Sequence, residues 1–260
     1  IVQRGDLAIK DNSSLTIDTV GSGAYKIDND QEGLVYGNNG YGIDSTDDIT
    51  VKDDSTLEIK GTQSAAIYGG AAIDGRTDSS LTVKDSTLNI DSNGQGIQYQ
   101  GNAGNITFDN SQVNISGNGM GISVASGGGT DITFDHSTGS VSAKNGTAIY
   151  GPEEKGSGDL TFKNGSDVTL NASYGIQAGF NNVEISGQSK VISNNVVNGM
   201  IFRGGTSGAT KLHITGNSLY DLNMRYDPNA NDPQRAISAK ASIPKAPILP
   251  LPFGMAPMWM

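Results

Sequence analysis

Asp28, Asp30 and Glu32 stand in the run Asp28-Asn-Asp30-Gln-Glu32-Gly33, where oxygen side chains at alternate positions lead to a glycine. That matches positions 1, 3, 5 and 6 of a calcium-holding loop, but the twelfth position is Asn39 where a bidentate glutamate belongs. The three are candidate calcium ligands, and no other cofactor is expected. Asp227-Pro-Asn229-Ala-Asn231 keeps three oxygen positions and has Asp232 in the place of the glycine.

Acid–base chemistry on a glycan needs two carboxylates about 5–10 Å apart, one acid and one base or nucleophile. Asp47/Asp48, Asp53/Asp54 and Asp85 recur at one kind of position, between short apolar runs, and are read as turn formers. A lyase would add a basic residue on a carboxylate-lined groove, yet the five arginines (Arg4, Arg76, Arg203, Arg225, Arg235) are scattered. His136 falls in a turn and His213 on the polar side of Leu212-His-Ile214, so both read as surface residues. No Gly-x-Ser-x-Gly elbow, His-Glu-x-x-His pair or P-loop occurs, so no catalytic residue is expected. Arg4-Gly5-Asp6 is a single integrin-type tripeptide ahead of the first apolar run.

Composition narrows the partners. With 17 basic against 27 acidic residues the net charge is −10, the opposite of the basic footprint that nucleic acid needs. The absence of cysteine removes zinc ribbons, iron–sulfur ligation and thiol nucleophiles.

What must position any site is a repeat. Asp48-Ile-Thr-Val-Lys-Asp-Asp-Ser-Thr-Leu-Glu-Ile59 returns as Ser80-Leu-Thr-Val-Lys-Asp-Ser-Thr-Leu-Asn-Ile90 and Asn105-Ile-Thr-Phe-Asp-Asn-Ser-Gln-Val-Asn-Ile115. Other copies open at Asp6, Asp131, Asp159, Asn182 and Lys211. A third run led by glycine or alanine follows, as in Ala66-Ile67, Gly96-Ile97, Gly121-Ile122, Ala148-Ile149 and Gly175-Ile176, and Met200-Ile201 is aligned with them. The first apolar residues of successive copies (Leu7, Ile49, Leu81, Ile106, Ile132, Leu160, Val183, Leu212) are 42, 32, 25, 26, 28, 23 and 29 residues apart. Intervals of that size mark a solenoid, and each run alternates apolar with polar residues as a strand with one buried face does.

The expected fold is therefore all-β: a right-handed parallel β-helix with three short strands per coil and about eight to nine coils, over residues 1–220. Thirty-six glycines suit its tight corners, where φ turns positive. Phe108, Phe134 and Phe162 should stack in the core, while Asp11, Asp53, Asp85, Asn110, His136 and Asn164 should form a turn column outside it. Residues 221–260 carry seven of the 8 prolines and are read as a linker or cap. Ile243–Met260 is apolar but holds five prolines, so membrane insertion is not expected.

Repeats of the form Asp/Asn-[Ile/Leu]-Thr-[Val/Phe], Ser-x-[Leu/Val]-x-Ile and Gly-x-Gly-Ile resemble the passenger regions of Gram-negative autotransporters, the pertactin type included. That resemblance implies a secreted or surface-displayed β-helix, anchored in the outer membrane through a missing C-terminal region and used in adhesion, aggregation or virulence. A non-catalytic adhesin is the leading expectation, with a host or bacterial surface protein or glycan, or another copy of itself, as partner. The alternative is a carbohydrate-active β-helix, either a lyase or glycosidase or a sugar-binding module in which Tyr36, Tyr41, Tyr68, Tyr99 and Tyr150 are exposed and stack on sugars.

Overall fold

The computed structural model describes residues 2–3, 5–18, 41–45, 47–62, 64–69, 79–101, 104–127, 129–151, 158–202, 210–225 and 235–239. These form an all-β parallel solenoid with three sheets, one of nine strands and two of eight, and no helix among the described residues. Each sheet takes every third strand of the chain, so equivalent runs of successive copies lie side by side in parallel register. No helix among the described residues is long and apolar enough to cross a membrane.

The first run of each copy builds one eight-stranded sheet. In Ile106–Asp109, Ile106 and Phe108 point inward and Thr107 outward, and the neighbouring Ile132–Asp135 repeats that pattern in register. Phe108, Phe134 and Phe162 are buried at 1% exposure or less, with ring centroids 4.7 and 5.0 Å apart, so the aromatic stack lies in the core.

The turn that follows runs outside the core. Asp11, Asp53, Asp85, Asn110, His136 and Asn164 have φ between 46 and 60°, the left-handed region that asparagine and aspartate tolerate best among residues with a side chain. His136 is exposed there, with Nδ1 2.9 Å from the Asn164 carbonyl oxygen, which its N–H can reach as a donor.

Just past this column the chain turns inward on serine. Ser13, Ser55, Ser86, Ser111, Ser137, Ser166, Ser189 and Ser218 occupy one position in eight copies. Each backbone N–H donates to the hydroxyl of the serine in the next copy, at 3.0–3.3 Å through all seven steps. The hydroxyls donate in turn to carbonyls of their own turn, as Ser111 does to Asp109 at 2.7 Å and Ser137 to Asp135 at 2.9 Å. A buried amide at a sharp corner is thus satisfied without a sheet partner. Ser137→Ala removes the acceptor for the Ser111 N–H in a fully buried site, and we expect a loss of about 1–3 kcal/mol in urea unfolding.

At the entry to the same sheet the short polar side chains also reach the next copy. Asp48 Oδ1 accepts from the Ser80 N–H at 2.8 Å, and Asp131 Oδ1 accepts from the Asp159 N–H at 2.8 Å. These carboxylates hold strand edges together.

The second eight-stranded sheet continues each copy, for example Thr87–Asp91 beside Gln112–Gly117, with Leu88/Ile90 and Val113/Ile115 inside. Between it and the third run the backbone closes tightly. A Cβ added to Gly121 would lie 2.5 Å from Val141 Cγ1 and 2.7 Å from the Ala148 carbonyl oxygen, and one on Gly42 would lie 2.6 Å from Ile59 Cγ2. That pinch explains why glycine or alanine leads each third run.

The sheets extend past residue 220. Leu219–Met224 crosses that position, and Arg235–Ala239, inside the proline-rich stretch, pairs with Asn198–Phe202 as the last strand of the nine-stranded sheet. At this end Ile214, Leu219, Met224 and Ile237 are 40–49% exposed.

Tyr220 packs on the core there and shares a 2.9 Å hydrogen bond with the Ser193 hydroxyl. Burial pushes its pKa from 10.0 up to about 12. The folded chain therefore holds that proton more tightly than the unfolded one, so the stability it contributes is complete below about pH 10 and is lost as pH rises toward 12. Thermal melts over this alkaline window should fall more steeply for the native chain than for Tyr220→Phe.

Candidate functional site

The nine-stranded sheet turns outward one stretch that carries a single carboxylate, at Asp44, and otherwise uncharged side chains. The central isoleucines of the third runs, Ile43, Ile67, Ile97, Ile122, Ile149 and Ile176, are buried without exception. The residue after each must point the other way, because side chains alternate along a strand. Asp44, Tyr68, Gln98, Ser123, Tyr150 and Gln177 therefore form one outward column, each in register with the next.

Tyr68 stacks on Tyr41, with centroids 4.6 Å apart and planes 23° from parallel. Asp44 precedes Tyr68 in the column, and partial burial raises its carboxyl pKa. Burial also raises the Tyr68 phenol, helped by the neighbouring Tyr41 and Asp44. Both shifts favour the protonated, uncharged forms. Further along, Thr147 Oγ1 donates to Gln177 Oε1 at 3.1 Å, which fixes that amide with its NH2 left as the donor.

Of the five tyrosines expected to be exposed, Tyr41, Tyr68 and Tyr150 are half-buried on this face, and Tyr36 lies outside the described residues. Tyr99 corrects the expectation, since it is 0% exposed. It follows the inward Ile97 by two residues, so it shares the inward face, and burial drives its phenol pKa far up. Ser79 beside the ring partly offsets that shift, without a hydrogen bond of good geometry.

The remaining candidates separate cleanly. Asp28, Asp30 and Glu32 lie outside the described residues, as do Asp227, Asn229, Asn231 and Arg4. Among the described residues no three acidic or histidine side chains gather as metal ligands. His213 is exposed on its strand opposite Glu184. Asp53, Asp54 and Asp85 hold left-handed turn positions with φ of 59, 57 and 48°.

Asp109 and Asp135 are a pair of carboxylates in register on adjacent strands. Lys84 Nζ lies 2.9 Å from Asp109 and Lys163 Nζ 3.3 Å from Asp135, and Asn164 Nδ2 donates to Asp135 at 2.7 Å. Each acid is matched by its own base on a partly solvated strand end, an arrangement that evens out charge along the stack.

Gln98, Ser123 and Gln177 were not singled out by sequence reasoning. The signal that finds them is their offset of one from the isoleucine of each third run. Fold and surface together define a parallel β-solenoid with an aromatic and amide column along one sheet. Compared with known families, curated proteins and solved structures, the chain matches none of them.

Proposed function

We propose that this chain is a right-handed β-helix of about eight to nine three-stranded coils, secreted or displayed at a bacterial surface in the manner of an autotransporter passenger. There it mediates attachment or aggregation and does not catalyse a reaction. The strand order supports the coil count, since eight copies supply eight strands to each of two sheets.

The observation that carries the functional reading is how its polar groups are employed. The acids and amides of the repeats are spent on stacking one copy on the next, through Asp48, Asp131, Asp159 and the serine column, while the tyrosine-bearing face presents side chains outward. Such a surface serves recognition by a host or bacterial surface protein or glycan, or by a second copy.

Asp109 and Asp135 favour a second reading, a carbohydrate-active enzyme. Cells displaying the chain should attach to host cells or settle as aggregates more than cells without it. The purified chain should release no reducing ends or unsaturated products from a polysaccharide panel. Turnover that disappears in Asp109→Asn and Asp135→Asn would reverse the order of the two readings.

A further inference from the structure

We infer that the outer column of the nine-stranded sheet is a docking track for an uncharged linear glycan lying along the stack axis; the inference rests on the adhesin reading and specifies its partner. The column runs Tyr68, Gln98, Ser123, Tyr150, Gln177 in unbroken register, with no carboxylate and no cationic side chain in it. The first eight-stranded sheet differs sharply, because the strand-end position of its outer face carries Lys52, Lys84, Asp109, Asp135 and Lys163 in the same five copies. Charge thus separates the faces, and the neutral one matches a neutral ligand.

Spacing and chemistry agree with that occupant. Tyr68 and Tyr150 are three strands apart, about 14 Å at ~4.8 Å per strand, so two sugar rings of one chain can meet two phenols while the residues between them pass over Gln98 and Ser123. Phenol faces take the apolar C–H side of a pyranose, and amide and hydroxyl groups read its hydroxyls. Ser123 is buried at 6% exposure between the flanking side chains, so it forms the floor of the column and the contacts come from the tyrosines and amides on either side. Tyr41 stiffens Tyr68 by stacking on it, and Thr147 fixes the Gln177 amide, so two contacts are set before binding. Asp44 lies at the end of the column, with its carboxyl pKa already raised, and opposes sulfated or uronic chains when ionised.

The test is the full chain on a glycan array with neutral, sulfated and uronic arms, followed by titration of the best hits. Neutral glycans should bind, with affinity unchanged by added salt. Tyr68→Ala and Tyr150→Ala should each weaken binding about tenfold, Tyr68→Phe should retain it, and Thr107→Ala on the adjacent sheet should have no effect. All three side chains point outward, and circular dichroism checks the fold of each variant. Binding confined to the anionic arms, or neutral binding kept by a folded Tyr68→Ala/Tyr150→Ala double variant, overturns the inference. A chain that promotes attachment of cells yet binds no glycan overturns it too while leaving the adhesin reading in place. If attachment itself is absent, it is the adhesin reading that fails.

Discussion

Gly121→Val should abolish folding or cost more than about 3 kcal/mol, because the new side chain has nowhere to go. Its first carbon alone would sit 2.5 Å from Val141 Cγ1 and 2.7 Å from the Ala148 carbonyl oxygen, and the second of these is backbone. Relief would require the third run to move off the preceding sheet, breaking the register with Gln95–Gly101 on one side and Thr147–Tyr150 on the other. Overpacked cores ordinarily lose about 1–3 kcal/mol, and here a main-chain contact removes the easy rearrangements. Gly121→Ala should be milder, since Ala66 and Ala148 occupy the same position in other copies. The check is urea denaturation of both variants by far-ultraviolet circular dichroism. A Val variant with a native midpoint would show that the corner is open.

The second large effect is Phe134→Ala, expected to cost about 3–5 kcal/mol. Phe134 is the middle ring of three, 4.7 Å from Phe108 and 5.0 Å from Phe162 by centroids, and 1% exposed. Removing it takes away two ring contacts and leaves a void that parallel strands on both sides cannot close, because their spacing is held by backbone hydrogen bonds. Phe134→Leu should lose less, since leucine already serves the column beside it, at Leu81 and Leu160. Equal losses for Ala and Leu would mean that ring stacking rather than filled volume is the main term.

Much of this fold was legible in the sequence, and the places where reading failed are instructive. The Phe108, Phe134 and Phe162 register and the turn column from Asp11 to Asn164 follow from aligning copies, because in a stacked fold equal position means equal environment. Tyr99 was misread by residue type, since tyrosine suggests a surface. Parity with Ile97 puts it inside and parity with Ile67 and Ile149 puts Tyr68 and Tyr150 outside, so the same alignment held the answer. Tyr41 escapes parity altogether. It precedes Ile43 by two, yet stacks on the outward Tyr68, because the corner at Gly42 breaks the alternation.

The serine column was visible as a recurrent letter but not as buried structure. Serine favours turns and surfaces by composition, and only the amide of the preceding copy, 3.0–3.3 Å from its hydroxyl, shows why it is needed inside. The outward column is the least legible part. What matters there is which neighbours lie above and below, and that depends on the lengths of the connections between copies.

The serine column and the three sheets share a mechanical consequence. Among the described residues the sheet hydrogen bonds between copies point along the stack, so a pull between the two ends passes through the copies in series. In a series the weakest link sets the breaking load. With Ile214, Leu219, Met224 and Ile237 40–49% exposed, the last copy is the one with most exposed large apolar side chains among the described residues and would let go first. Tyr68 and Tyr150, on Ala65–Gly69 and Thr147–Tyr150, lie six and three strands from Arg235–Ala239 and would keep their geometry under tension while that end gives way.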